Sequence, residues 1–235
     1  MPKNVDHAQR RIEIVEATWR IIARGGFAAA TMREIAAEAG FANGGLKPYF
    51  ATKDELLAAA YDRTFFLVNE RAGERLGGAT GLDAVLVLCR EMLPLDAQRS
   101  VEARVTMAFW DRAASNDQLR KLHADSYSIW RHWLENELAS ASRRNELTAT
   151  HGIQPAIDEL LALVTGLRVQ AVMTSGGVMS DDRQEILVRA VDRLRPSGPS
   201  ASRPRKETPS AESAPSEPEV PVDRAGVGHE FSRRP

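Results

Sequence analysis

Cysteine, net charge and long hydrophobic runs are all scarce in this sequence. Cys89 is the single cysteine among 235 residues, which excludes an internal disulfide framework and a multi-cysteine metal site. The formal net charge is −1, so partners have to be inferred from local patterns rather than from an overall electrostatic field. Hydrophobic runs such as AVLVLC are far shorter than the roughly 18 residues of a membrane span, and the N-terminus lacks the apolar stretch of a signal peptide. We therefore expect a soluble, cytoplasmic protein.

Large apolar residues become rare after residue 195. The segment 196–235 contains eight of the twelve prolines and is otherwise rich in serine and charged residues. Such a composition buries too little apolar surface to offset the entropy lost on ordering. We predict that residues 196–235 form a disordered tail.

Strand-type alternation is missing before the tail, and helical periodicity takes its place. Ile12, Val15, Trp19 and Ile22 recur at helical spacing and predict a first helix with one buried face. Later segments repeat this pattern, and Pro155 suits the first turn of a helix. The sequence predicts an all-α fold of about nine helices.

Helix start and stop signals are concentrated in the stretch TMREIAAEAGFANGGLKPYFATKDEL. Thr31 with Glu34, and Thr52 with Glu55, form two capping boxes, in which a threonine hydroxyl and a glutamate each satisfy a first-turn amide. Gly40 follows the first of these helices as a left-handed stop. The stretch therefore predicts a short helix, a tight turn and the start of a longer helix.

A second short helix is predicted between the two boxes, from Asn43 through Leu46 to Phe50. Gly44 and Gly45 at its start would allow the backbone to approach the wall of a DNA groove. Two short helices around a glycine turn, followed by a longer capped helix, are typical of helix-turn-helix DNA-binding proteins. The same spacing also occurs in helical hairpins that do not bind DNA.

The candidate DNA contacts all lie in or beside this motif. Lys47 and Tyr49 can reach phosphates or bases, and Lys53 lies among the free first-turn amides of the next helix, a suitable place for a phosphate. Pro48 removes one hydrogen-bond donor and should bend or tighten the short helix. The candidate DNA-binding residues are Thr31, Arg33, Asn43, Gly44, Gly45, Lys47, Tyr49 and Lys53.

The stretch GGFAAATMREIAAEAGFANGGLKPYFATKDELL, preceded by one amphipathic helix, resembles the DNA-binding domain of TetR-family transcriptional regulators. The stretch LPLDAQRSVEARVTMAFWDRAASNDQLRKLHADSYSIWRHWL is similar to the effector domain of the choline-sensing BetI branch. The resemblance departs at Ala42 and Lys47, where family members usually carry serine and tyrosine. It implies a three-helix DNA-binding domain in residues 1–53 and an all-α ligand-binding and dimerisation domain in residues 54–195, with the last two helices pairing across a two-fold axis.

Aromatic residues are enriched in the second of these domains, and a pocket lined by rings could hold a cation over their faces. Aromatic residues at helical spacing are also ordinary core residues. Arg131 and Arg168 could equally recruit an anionic or hydrogen-bonding effector. The candidate ligand-binding residues are Phe66, Met107, Trp110, His123, Tyr127 and Trp130.

The last two helices carry more apolar residues than one neighbouring helix can cover, which predicts a paired four-helix dimer interface. Its predicted residues are Leu160, Leu161, Val164, Leu167, Val172, Ile186, Leu187 and Val191.

The sequence as a whole predicts a homodimeric transcriptional repressor that a small-molecule effector releases from a double-stranded DNA operator. We expect no catalytic residue, cofactor, metal or membrane partner, because the five histidines are scattered and no enzyme motif is present. Two other classes stay open. One is an architectural DNA-binding protein without an effector, and the other is a small helical enzyme or carrier using Asp111, His123 and Glu135.

Overall fold

The computed structural model describes residues 7–42, 44–148, 152–174 and 177–196, and within these ranges the chain forms eight α-helices and no strand. This confirms the all-α prediction, but the number of helices is one fewer than expected. Of the predicted tail, only Pro196 is among the described residues. The helices are α1 (His7–Ala29), α2 (Met32–Glu38), α3 (Lys53–Leu76), α4 (Leu82–Glu91), α5 (Ala97–Ala113), α6 (Asp117–Arg143), α7 (Ile153–Thr174) and α8 (Asp181–Asp192).

Helix α1 breaks at Gly26, whose φ of 70° and ψ of −179° are not helical. The buried face of α1 centres on Ile14, Thr18 and Ile22, which follow one another at intervals of one helical turn. Ile12, predicted to be buried, lies on the flank of this face and is 51% exposed. The prediction for Ile12 was therefore wrong, although the helix itself was correctly expected.

Both predicted capping boxes begin a helix, but each has only its threonine half. The backbone N–H of Glu34 donates to Oγ1 of Thr31 (3.2 Å), and that of Glu55 donates to Oγ1 of Thr52 (3.1 Å). The Glu55 carboxylate accepts instead from the N–H of Ala51 (2.9 Å). The threonine caps alone therefore specify where α2 and α3 begin.

The predicted second short helix is instead a run of turns at residues 44–49, called the turn segment below. The N–H of Lys47 donates to the carbonyl oxygen of Gly44, three residues earlier (3.3 Å), whereas an α-helix joins residues four apart. Pro48 has no N–H with which to make the helical bond to Gly44. The chain therefore turns here without forming an α-helix, and Asn43, its predicted cap, lies outside the described residues.

Helix α3 contributes to the cores on both sides of the predicted domain boundary at residues 53 and 54. Leu56 and Ala60 pack with the buried residues of α1 and α2. Val68 and Ala72, farther along the same helix, pack with residues of α4, α6 and α7. The boundary stays a prediction, but any motion of α3 affects both cores.

A buried group of charged residues, the ion cluster, connects α3, α4 and α5. The guanidinium of Arg71 donates to both carboxylate oxygens of Glu102 (2.6 Å each) and lies 3.3 Å from the carboxylate of Glu91. Glu91 also pairs with Arg99 (3.3 Å) and Arg75 (3.4 Å). Glu91, Glu102 and Arg99 are each at most 3% exposed, so their pairs with one another and with Arg71 are shielded from water, whereas the side chain of Arg75 is 57% exposed.

Six of the eight residues predicted for the dimer interface are buried inside the chain itself. Helix α7 packs against α4, α5, α6 and α8, and these neighbours cover its several apolar sides. Val172 is half-buried, and Ile186 is 45% exposed. The prediction was wrong for Leu160, Leu161, Val164, Leu167, Leu187 and Val191.

Candidate functional site

One side of the turn segment packs on the protein core, and the other side is exposed to solvent. Leu46 is 2% exposed and Phe50 is fully buried, and both belong to the core formed with α1 and α2. The guanidinium of Arg11 lies 4.0 Å from the centre of the Phe50 ring, a cation–π contact that joins α1 to the end of the segment. Lys47 and Pro48 are exposed on the outer side. The arrangement presents a short, supported ridge to the solvent.

The two glycines of this ridge have an internal structural reason. Gly44 has a φ of 83°, a conformation that other residues adopt only with strain. A Cβ atom at Gly45 would lie 2.9 Å from the carbonyl oxygen of Ala42 and 3.3 Å from the Cβ of Phe41. Larger residues at either position would therefore disturb the turn itself, whether or not DNA is bound.

Three of the predicted DNA-binding residues have exposed side chains. Lys47 is exposed and makes no ion pair with any residue in the described ranges. The side chain of Arg33 is 78% exposed and has only a long contact (3.4 Å) with Glu34. The hydroxyl of Thr31 already accepts the amide of the α2 N-terminus. Lys47 and Arg33 are thus available to an external anion such as a phosphate.

Tyr49 and Lys53 are turned towards the protein. The Tyr49 ring lies 4.5 Å from the His7 ring and 5.5 Å from the Phe41 ring, measured between centroids. Nζ of Lys53 donates to the carbonyl oxygen of Phe27 (3.4 Å) and lies 4.0 Å from the centre of the Phe27 ring. Burial lowers the pKa of Lys53. The predicted phosphate contact of Lys53 therefore competes with an internal one that connects α3 to α1.

A cavity lies between α3, α5, α6 and α7. Its volume, counted as the space that the centre of a water molecule can occupy, is about 50 Å³, which is enough for a few waters or part of a small ligand. Four of the six predicted ligand-binding residues line it, namely Trp110, His123, Tyr127 and Trp130. Phe66 does not line it: this side chain is 54% exposed and lies beside Arg63. Met107 is half-buried on α5, away from the cavity wall.

Phe66 is the residue of α3 that was predicted to bind ligand, but other side chains of α3 line this cavity. These side chains face the cavity at intervals of three, one and three residues, which is the spacing of one helical face. Phe66 directly follows one of them in the chain, and each step along a helix turns the side chain by about 100°. The same periodicity could have found the four lining residues of α3: Tyr61, Thr64, Phe65 and Val68.

Tyr61 and His123 form a polar pair in the cavity wall. The hydroxyl of Tyr61 lies 3.2 Å from Nδ1 of His123, and its ring stacks on that of Phe109 with centroids 3.8 Å apart. Burial raises the pKa of Tyr61 to about 12. Burial, and then the nearby charge of Arg168, lower the pKa of His123, so its imidazole is neutral at pH 7. The pair contributes hydrogen-bonding groups and no charge.

Arg168 is the charged group of the cavity. It is 8% exposed, and its Nε donates to the carbonyl oxygen of Met92 (2.9 Å) at the C-terminal end of α4. Burial lowers its pKa to about 10, so the guanidinium keeps its charge at pH 7. Arg131, which the sequence suggested as a second cation, pairs instead with Asp158 and Gln154 on the surface. No Asp or Glu is among the described residues that line the cavity.

Other candidate chemistries have little support in the described ranges. Cys89 is fully buried, and burial raises the pKa of its thiol to about 12, as expected for an inert core thiol. Within those ranges, no group of three or more His, Cys, Asp and Glu side chains is placed to hold a metal ion. None of the helices described there is long and apolar enough to cross a membrane.

The all-helical fold carries an exposed turn segment between α2 and α3 and an internal cavity, and comparisons identify both the class of protein, helix-turn-helix transcriptional regulators, and its family. Residues 14–60 match bacterial regulatory proteins of the TetR family, and residues 82–196 match the C-terminal domain of BetI-type transcriptional repressors. The chain belongs to the TetR family. It is 32% identical to the HTH-type transcriptional regulator PksA of Bacillus subtilis, over 83% of this chain and 94% of that protein.

Further relatives agree with this assignment. The HTH-type transcriptional regulator BetI 1 of Chromohalobacter salexigens is 26% identical over 79% of this chain and 90% of that protein. A transcriptional regulator from Rhodococcus has 26% identity and a TM-score of 0.70, covering 78% of this chain and 95% of its own. A regulator from Saccharomonospora viridis, solved in complex with choline, has a TM-score of 0.73 and 23% identity, covering 80% of this chain and 98% of its own. The relatives are named as transcriptional regulators and not as enzymes.

Proposed function

We propose that this protein is a homodimeric transcriptional repressor that binds an operator through the turn segment and is released when a small molecule occupies the cavity. The observation that carries the proposal is the course of α3. This helix begins shortly after the turn segment and lines the cavity with Tyr61 and Thr64, which lie about 12 and 17 Å along it at 1.5 Å per residue. One rigid element thus connects the two candidate sites.

A second contact makes the N-terminal end of α3 sensitive to α5. Asp54, in the first turn of α3, accepts from Nε and Nη2 of Arg112 near the end of α5 (both 2.9 Å). Asn116 donates to the same carboxylate (3.1 Å). Because α3 and α5 pack against each other and both contribute to the cavity wall, a ligand that shifts one against the other would reposition α3 and the turn segment. Such a ligand regulates through its different affinities for the two arrangements.

The exposed side chains are the first candidates for DNA contacts. Lys47 and Arg33 are exposed and free to bind phosphates or bases. Gly44 and Gly45 allow the turn that presents Lys47. Thr31 acts by capping α2. Tyr49 and Lys53 bind DNA only if their internal contacts with His7 and Phe27 are exchanged.

Selection of bound fragments from genomic DNA in the presence of competitor DNA tests this function. We expect a few related, two-fold symmetric sites to be enriched, and their occupancy to fall when a metabolite extract is added. Equal binding to every duplex would support the architectural class instead. Specific binding that no small molecule reverses would refute the regulatory role of the cavity.

Replacing Lys47 tests the outer side of the turn segment. If Lys47 binds a phosphate, Lys47→Ala should weaken binding to operator and to random DNA by similar factors. The slope of log affinity against log salt concentration should fall by about one unit, because one fewer counterion is released. Fluorescence anisotropy at several salt concentrations measures both quantities.

Arg143→Ala serves as the matched control, because it removes an exposed cation at the C-terminal end of α6. This variant should keep the slope of the unmodified protein. An unchanged slope for Lys47→Ala as well would exclude a phosphate contact at Lys47.

The proposed dimer uses the apolar residues that α7 and α8 leave exposed. Met173 on α7 is 72% exposed, and Ile186 on α8 is 45% exposed. A double variant, Met173→Glu with Ile186→Glu, should sediment as a monomer at micromolar concentration, because it places charges in an apolar interface.

Ile129→Glu is the control for the dimer experiment, since Ile129 on α6 is similarly exposed (42%). This variant and a deletion of residues 197–235 should both sediment as the unmodified dimer. A monomeric unmodified protein, or a dimer that tolerates both charges on α7 and α8, would contradict the proposed interface.

A further inference from the structure

We propose that the effector of this protein is an anion whose carboxylate binds Arg168, with an apolar body that lies among the aromatic rings of the cavity. This inference rests on the proposed function, because it concerns the ligand of the same cavity. It follows from the charge of Arg168, from a donor left without a partner and from what already covers the face of Trp110.

Arg168 lacks a counter-charge of its own. This guanidinium is 8% exposed and pairs with no carboxylate in the described part of the chain. Burial lowers the pKa of Arg168, and the carboxylate of Glu102 offsets this only in part and from a distance, because both of its oxygens accept from Arg71 (2.6 Å each). The hydrogen-bonded partner of Arg168 is the neutral carbonyl oxygen of Met92. A buried cation without a counter-charge is unfavourable, and a bound carboxylate would supply the missing charge.

Trp110 brings an unused hydrogen-bond donor to the cavity wall. Its Nε1 is buried without a partner among the described residues. The hydroxyls of Thr64 and Thr106 already donate to backbone carbonyl oxygens of their own helices (3.1 and 2.8 Å), so neither needs a partner from the ligand. The buried lining atom that still needs a partner in the described part of the chain is therefore an N–H donor. It favours a ligand with an acceptor oxygen, which a carboxylate has and a quaternary ammonium group lacks.

The aromatic rings of the cavity would by themselves favour a cation. The guanidinium carbon of Arg168 lies 5.5 Å from the centre of the Trp110 ring, so the protein itself supplies a cation for that face. A cationic ligand would have to enter beside this charge and would be repelled by it. The rings therefore form the apolar part of the site, suited to a hydrocarbon or aromatic body.

The surroundings of the cavity leave room for an effector larger than the cavity itself. A surface groove with a volume of about 730 Å³ shares Trp110, His123, Tyr127 and Thr165 with the cavity wall. A ligand whose carboxylate lies at Arg168 can thus extend past these side chains to the outside. The rest of the groove is lined by Arg120, which pairs with Asp117, and by four small residues: Ala113, Ala114, Ala162 and Gly166.

His123 provides an independent readout of ligand charge. It faces Tyr61 of α3, Trp110 of α5, Tyr127 of its own helix and Arg168 of α7, and the positive charge of Arg168 contributes to its lowered pKa. A bound anion offsets this charge and raises the pKa of His123 in the complex. The complex then binds more protons than the free protein, so carboxylate affinity should rise as the pH falls below 6.5, the ordinary histidine pKa from which that of His123 is lowered.

Three probes with the same branched body separate charge from shape: choline, 3,3-dimethylbutan-1-ol and 3,3-dimethylbutanoate carry a positive, zero and negative charge. Binding to the full-length protein is measured at millimolar concentrations by tryptophan fluorescence and thermal unfolding. We expect the carboxylate to bind about tenfold or more tightly than the alcohol, as one charge-assisted contact predicts, and choline to bind most weakly. Hexanoate and phenylacetate, each compared with its amide, extend the series to larger bodies.

Variants of Arg168 then assign the preference to this side chain. Arg168→Gln should bind the carboxylate and the alcohol equally, whereas Arg168→Lys should keep part of the preference. Circular dichroism establishes that each variant is folded. The probe series on the unmodified protein tests the inference even if neither variant folds.

Choline or the alcohol binding as tightly as the carboxylate would overturn the inference, and so would the absence of binding by all three carboxylates. A DNA release assay with the same probes separates this result from the proposed function. Release by choline alone would leave the repressor function standing and refute the anionic effector. Carboxylate binding without any release of operator DNA would support the anion site at Arg168 and refute the proposed release mechanism.

Discussion

Glu91→Gln should lower the free energy of unfolding by about 3 to 5 kcal/mol, the range for breaking a buried ion pair by removing one partner. Glu91 is 2% exposed and lies within ion-pair distance of Arg71, Arg75 and Arg99. Arg99 is itself 3% exposed, so the variant leaves a buried guanidinium with only the pair to Asp96. Urea unfolding followed by circular dichroism at pH 7 measures the change.

Glu13→Gln is the matched control for this substitution. Glu13 pairs with Arg10 at 2.7 Å, but the two side chains are 39% and 45% exposed, so solvent weakens the interaction. We expect a change within about 0.5 kcal/mol. A loss below about 1 kcal/mol for Glu91→Gln would mean that the ion cluster does not hold α3, α4 and α5 together by its charges.

Phe50→Ala should abolish specific operator binding, with a loss of about 100-fold or more. Phe50 is fully buried, its N–H donates to the carbonyl oxygen of Leu46 (2.9 Å), and its ring lies under Arg11. Its removal leaves a cavity directly below the turn segment, which should cost about 3 to 5 kcal/mol. Anisotropy titrations measure DNA binding, and amide hydrogen exchange measures the protection of residues 44–56.

Two comparisons make the Phe50 experiment specific. Phe66→Ala removes the same side chain at a position that is 54% exposed, and it should leave both operator affinity and stability nearly unchanged. Carboxylate binding by Phe50→Ala should also persist, since Phe50 lies outside the cavity. Operator affinity within tenfold of the unmodified protein would show that the turn segment does not depend on this anchor.

Local signals in the chain accounted for the beginnings and ends of the helices. Thr31 and Thr52 cap the helices that follow them, and Gly40, with a φ of 74°, ends α2 as expected. These signals act within about four residues, through hydrogen bonds that the same short segment makes with itself. For this reason the all-α class and the helix-turn-helix pattern could be inferred before any packing was known.

Long-range packing determined the direction and the partners of each side chain. The sequence alone could not show that Lys53 contacts Phe27, because 26 residues separate them in the chain. Nor could it show that the face of α3 on which Phe65 lies borders a cavity, because that depends on the helices packed against it.

The charge of the cavity depended on packing for the same reason. Arg168 is one of many arginines in the sequence, and its distinction comes from four helices that exclude water while bringing no carboxylate to it in the described part of the chain. Helical periodicity shows which residues lie on the same face of a helix, but the packing of neighbouring helices determines what that face contacts. Burial and charge pairing, which make Arg168 a candidate ligand contact, arise only when distant segments pack together.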